Sequence, residues 1–82
     1  MNTYRITEEW DVFKKYLDEY LDHIDKTRVC YMHRDNEIYI RYSDDRIGDI
    51  IREKYTLIPS EAPVSVINDG WIFTGNVNLF SI

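Results

Sequence analysis

The sequence predicts an α+β domain, with two helices packed on one face of a four- to five-stranded antiparallel sheet. The expected order is α-β-β-α-β-β, with or without a final strand. Three observations carry this. Apolar residues recur at three- and four-residue steps from Ile6 to Asp25. Alternating apolar and polar residues flank Asp35-Asn36 in RVCYMHRDNEIYIRYS. Asp69-Gly70 separates two short runs rich in β-branched and aromatic residues. The 82 residues form one domain, 1–82, near the lower end of size for an unassisted core.

Met1 to Arg5 is an extended lead-in. The first helix covers Ile6 to Asp25. Ile6, Trp10, Phe13, Leu17, Tyr20, Leu21 and Ile24 share an arc of roughly 100°, widened by Val12 and Tyr16. Asp11, Asp18, Asp22 and Asp25 fall within a second arc of roughly 60°, and Glu8 and Glu19 extend it. Thr7 is the expected N-cap, with Glu8 and Glu9 in the positively polarised first turn. His23, Lys26 and Arg28 lie toward the negative end.

The next element is a β-hairpin turning at Asp35-Asn36, residue types that tolerate positive φ. A two-residue loop sets Arg34 opposite Glu37, His33 opposite Ile38, Tyr31 opposite Ile40 and Val29 opposite Tyr42. One face then carries Val29, Tyr31, Ile38, Ile40 and Tyr42, with His33 at its rim. The other carries Cys30, Met32, Tyr39 and Arg41 and is half polar.

Ser43-Asp44-Asp45 provides an N-cap and an acidic first turn for a second helix running to about Tyr55. Its inward residues are Ile47, Ile50, Ile51 and Tyr55. Gly48 inside it carries a helix penalty of about 1 kcal/mol. Thr56 to Pro63 is a connection bounded by the two prolines of the chain. Val64–Asn68 and Trp71–Thr74 form the second hairpin. Gly75-Asn76 either turns into a strand at Val77–Ser81 or marks a bulge in one long strand.

Composition narrows the function. A net charge of −5 and a pI near 4.8 disfavour direct binding to nucleic acid or to an anionic membrane, and favour a basic protein partner. The single cysteine, Cys30, excludes an internal disulfide and fits a reducing compartment. No signal-peptide core or bilayer-length apolar run is present. Together these place the chain in the cytoplasm, the host cytoplasm if it is phage-encoded.

Chemistry-bearing patterns are sparse. Cys30 and His33 lie three residues apart on one strand and point to opposite faces, so they form no dyad. The cysteine reads as a small buried hydrophobe. Glu19 and His23, and Asp18 and Asp22, are each one helical turn apart, but no third ligand stands at metal-site spacing. The glycines form no phosphate-cradling loop, and Ser60 sits in no nucleophile-elbow pattern. Neither enzyme activity, a metal nor a cofactor is expected.

The most distinctive feature is the aspartate arc. Asp is a poorer helix former than Glu, so solubility alone does not select it. On one helix, Asp18 and Asp22 lie about 6 Å apart along the axis and Asp11 about 10 Å below Asp18. That is of the order of the phosphate spacing along a nucleic-acid strand. The expected function is a non-enzymatic inhibitor or modulator of a basic, nucleic-acid-handling protein. It would act by occlusion through Asp11, Asp18, Asp22 and Asp25, with Glu8 and Glu19 as rim charges. The alternative is a protein-interaction module using the sheet face around Met32, Tyr39 and Arg41. A single-stranded nucleic-acid binder on that face ranks below both, with Arg34 as a further basic residue. The size, acidity and sparse chemistry are similar in style to small phage-encoded, viral inhibitors of host enzymes or host defence. Immunity proteins and antitoxins share that profile. An amphipathic helix and an open sheet edge are each able to support a homodimer.

Overall fold

A computed structural model describes residues 2–63 and 69–80. The central hairpin forms in the register that its two-residue loop imposes. Strands β2 (Val29–Arg34) and β3 (Glu37–Tyr42) pair Arg34 with Glu37, His33 with Ile38, Tyr31 with Ile40 and Val29 with Tyr42. Asp35 takes a φ of 53°, the left-handed conformation such a turn requires.

Around this hairpin stands an α+β fold with a five-stranded antiparallel sheet. Strand β1 (Tyr4–Thr7) pairs with β3, and helices α1 (Trp10–Tyr20) and α2 (His23–Lys26) lead into β2. Helix α3 (Asp45–Arg52) follows β3. A two-residue strand β4 (Ile58–Pro59) joins the outer side of β1, and β5 (Ile72–Gly75) joins the outer side of β2. The order across the sheet is β4-β1-β3-β2-β5. Phe13 and Leu17 from α1 and Ile47 and Ile51 from α3 pack on Val29, Tyr31, Ile38, Ile40 and Tyr42. These strand residues are the face expected to form the core.

The first helix differs most from expectation. Ile6 belongs to β1, not to a helix, and sits opposite Ile38 at 2% exposure. Tyr4-Arg5-Ile6-Thr7 satisfies the two-residue period of a strand, and pairing with β3 fixes it there. Glu9, not Thr7, precedes the helix, and it makes no side-chain cap bond. The helix then ends at Tyr20. Leu21 turns to φ −111°, ψ 129° and buries its side chain to 4% exposure. Asp22 and Asp25 form a reciprocal capping box for α2. The Asp22 carboxylate accepts from the Asp25 backbone N–H at 2.8 Å, and the Asp25 carboxylate accepts from the Asp22 N–H at 3.3 Å. The break leaves Tyr20 and Ile24, expected in the core, 54% and 59% exposed.

Helix α3 is capped by Asp44 rather than Ser43 and stops at Arg52, short of Tyr55. Gly48 has a packing reason: the Tyr42 ring and hydroxyl occupy the place a Cβ would take. Gly75, at φ 93°, passes so close to the Val29 carbonyl that no side chain fits. Of the two readings of Gly75-Asn76, neither a new strand nor a continued one forms over Val77–Phe80, which is a 3-10 turn. Val64–Asn68 and Ser81 lie outside the described residues.

The second face of the hairpin, expected to be half open, is covered. Met32 and Tyr39 pack with Trp71, and Ala62, Phe73 and Phe80 close around them. Met32 is 0% and Tyr39 9% exposed. Arg41 donates through Nε to Thr3 Oγ1 at 2.7 Å and through Nη1 to the Leu79 carbonyl at 3.0 Å. Its guanidinium lies 5.2 Å from the Phe80 ring centroid. The 3-10 turn and the Trp71 segment therefore fold over the surface assigned to an alternative partner or to single-stranded nucleic acid. The physical reason is the apolar half of that face, which the chain buries against its own aromatic residues.

Candidate functional site

The helix break redistributes the acidic residues. Asp11 and Asp18 keep helical spacing on α1, and Glu19 stands beside them; all three are exposed. Asp22 is exposed but holds the α2 cap. Glu8 is half-buried ahead of the helix and accepts from the Glu9 backbone N–H at 2.8 Å. Asp25 is withdrawn to 2% exposure, where it pairs with Arg46. One rigid ladder of four aspartates, as the single-helix reading required, is not formed. The one-turn relations of Asp18 to Asp22 and of Glu19 to His23 are lost with it. No three His, Cys, Asp or Glu side chains among the described residues are grouped to hold a metal.

Cations are shared unevenly among these acids. Arg28 donates to Asp44 at 3.1 Å, Arg46 pairs with Asp25, and Arg52 stands 3.9 Å from Asp49. On α1, among the described residues, only Asp18 forms an ion pair, accepting from Lys26 Nζ at 2.7 Å. Asp11 and Glu19 form none among the described residues. The Lys26 hydrogen bond lowers the Asp18 carboxyl below its ordinary value. The Asp25 backbone N–H does the same for Asp22, and the Arg46 backbone N–H for Asp44. All three stay ionised at neutral pH.

Beside this face lies a cleft of about 250 Å³. Strand β5 continues the sheet beyond β2, and its Thr74 and Gly75 line the cleft together with residues of α1. Trp10, Leu17 and Tyr31 form its apolar wall, and Lys14, Asp18 and Lys26 its charged rim. Trp10 stacks on His33 with ring centroids 3.9 Å apart and planes inclined by 5°. His33 Nε2 lies 3.3 Å from Thr74 Oγ1. Burial lowers the His33 pKa below its ordinary value, against an opposing pull from Asp11. The Tyr31 hydroxyl is buried without a hydrogen-bond partner. Burial foremost, then repulsion from the Cys30 thiolate that forms only at alkaline pH and from Asp18, push its pKa upward, so the phenol is protonated.

Cys30 and His33 do not meet. Cys30 is fully buried on the face opposite α1, and burial pushes its thiol up to about 11, leaving it a protonated packing group. The cleft was missed in the sequence because it joins α1 to a strand near the end of the chain. Part of its signal was present, since Trp10, Lys14, Leu17 and Asp18 fall on one flank at helical spacing.

Neither a family model, a curated protein nor a solved structure matches this chain.

Proposed function

We propose that the protein is a non-enzymatic binding protein that engages a basic, nucleic-acid-handling protein in the cytoplasm through the outer face of α1. Asp11, Asp18 and Glu19 are its contact residues, with Glu8 and Asp22 at the rim and Asp25 holding the α2 turn from beneath. The supporting observation is a group of exposed acids on α1. The arginines of neighbouring elements are drawn to Asp25, Asp44 and Asp49, while Asp11 and Glu19 remain exposed without an ion pair among the described residues. With a net charge of −5, such a face attracts a positively charged surface and accelerates encounter at low salt. Occlusion rests on charge and shape. A phosphate-like repeat is not needed, since only Asp11 and Asp18 keep helical spacing.

The test is affinity capture from lysate, mass-spectrometric identification, and titration of the purified partner against wild type and an Asp11→Asn, Asp18→Asn, Glu19→Gln variant. The variant is expected to bind at least about tenfold more weakly, and wild-type affinity to fall with salt. Equal affinity of both proteins, with no salt dependence, would sink the proposal.

A further inference from the structure

We propose that the cleft between α1 and β5 is a binding site for a small organic carboxylate with an apolar body. Size and lining set the body. The space is about 250 Å³, and Trp10, Leu17 and the Tyr31 ring supply its walls. It is smaller than most drug-sized sites, which suits a single aromatic ring or a branched hydrocarbon chain.

Hydrogen-bond accounting sets the polar end. Of the uncommitted polar groups at the cleft, Lys14 only donates and the Tyr31 hydroxyl donates as well as accepts. The Tyr31 hydroxyl is buried without a partner, although a buried unpaired hydroxyl is costly to leave unsatisfied. Lys14, exposed at the rim, forms no ion pair among the described residues. The one carboxylate in the lining, Asp18, already accepts from Lys26. Thr74 Oγ1 lies within hydrogen-bond distance of His33 Nε2. An acceptor on the ligand suits both Lys14 and the Tyr31 hydroxyl, and with two lysines against one aspartate in the lining a ligand that brings negative charge is favoured. A carboxylate supplies both. The Tyr31 hydroxyl is closed to solvent, so a ligand acceptor meets it only as the cleft side chains shift on binding. Asp18 belongs both to the partner-binding face and to the cleft lining, whereas Asp11 and Glu19 lie outside the lining, so the two readings are separated by tests at Asp11 and Glu19 on one side and at Tyr31 and Lys14 on the other.

The test is a two-dimensional NMR titration of the whole chain with named probes. These are 3-phenylpropionate and 4-methylpentanoate, with 3-phenylpropanamide and 3-phenylpropylammonium as matched neutral and cationic controls. Saturable shifts are expected at the Trp10 indole N–H and at the Thr74 and Gly75 amides, with the carboxylates binding at least about fivefold more tightly than either control. Tyr31→Phe and Lys14→Met should each weaken carboxylate binding about three- to tenfold, the scale of one lost hydrogen bond. Both variants should retain the wild-type spectrum elsewhere and an undiminished thermal midpoint, because neither removes a packing contact of the core. Lys54→Ala, which removes an amine from beside Tyr16 and Tyr55, should leave binding unchanged. Equal binding of all four probes would overturn the assignment of the polar end. Absence of saturable shifts at Trp10, Thr74 and Gly75 with every probe would overturn the site itself.

Discussion

Asp25 and Arg46 form an ion pair with very unequal environments: the carboxylate side chain is 2% exposed and the guanidinium 56%. Removing the two partners should therefore have unequal effects. Arg46→Ala strands a buried carboxylate without its counter-charge. It should cost about 2 kcal/mol, below the range for a fully buried pair because the arginine is half in water. Asp25→Asn keeps the side-chain shape and an acceptor for the α2 cap, and should cost about 1 kcal/mol. Urea denaturation of the two variants checks the order; equal or reversed losses would show that the cap, not the charge, is what Asp25 supplies. Residue type alone does not distinguish Asp25 from Asp11 or Asp18. All three carry the same charge, and what separates them is whether the backbone turns the side chain inward.

At the scale of elements, the reciprocal cap between Asp22 and Asp25 is what divides the expected long helix. Its pattern, an acid at the N-cap position and another three residues on, is written in Asp22-His23-Ile24-Asp25. It competes with an apolar period that continues through Leu21 and Ile24. The cap wins because it buries Leu21 and satisfies two backbone N–H groups, while Ile24 is released to solvent. Gly48 in α3 presents a similar conflict between local and tertiary preference. Helix propensity alone predicts that Gly48→Ala stabilises by about 1 kcal/mol. The Tyr42 ring stands where the new methyl would go, so the substitution should instead destabilise by about 1–3 kcal/mol. A thermal or urea midpoint higher than wild type would contradict that packing account.

For the whole molecule, the titrating groups predict two acid-induced losses of stability. His33 has a folded pKa below its ordinary 6.5, chiefly through burial. The unfolded chain then binds a proton more readily, so this contribution is complete above about pH 6.5 and declines as pH falls toward the folded value. Asp18, Asp22 and Asp44 are lowered from 3.8 by the Lys26, Asp25 and Arg46 donors. Their contribution is present above about pH 4 and declines as pH falls through their folded values. Urea midpoints measured from pH 7.5 to 3 should show both declines. His33→Phe preserves a ring against Trp10 and should remove the upper decline alone; an unchanged profile would refute the role of His33. No helix among the described residues is long and apolar enough to cross a membrane.

The local chemistry of the sequence determined the central hairpin, its register and its core-facing side, because a two-residue turn at Asp35-Asn36 and strict alternation leave one consistent pairing. It also determined the α+β class and the inward residues Phe13, Leu17, Ile47 and Ile51, through helical spacing. Tertiary structure decided the rest. Tyr4–Thr7 is too short to read as a strand alone and becomes one by pairing with β3. The Met32–Tyr39–Arg41 face looked available until distant residues Trp71, Leu79 and Phe80 were brought over it. The aspartate arc looked uniform until a turn sent Asp25 inward and left Asp11 and Asp18 outside. The cleft exists only because β5 is placed beyond β2, beside the flank of α1. Periodicity reports which side of an element is apolar; what lies against that side depends on contacts between residues far apart in the chain, which no local pattern encodes.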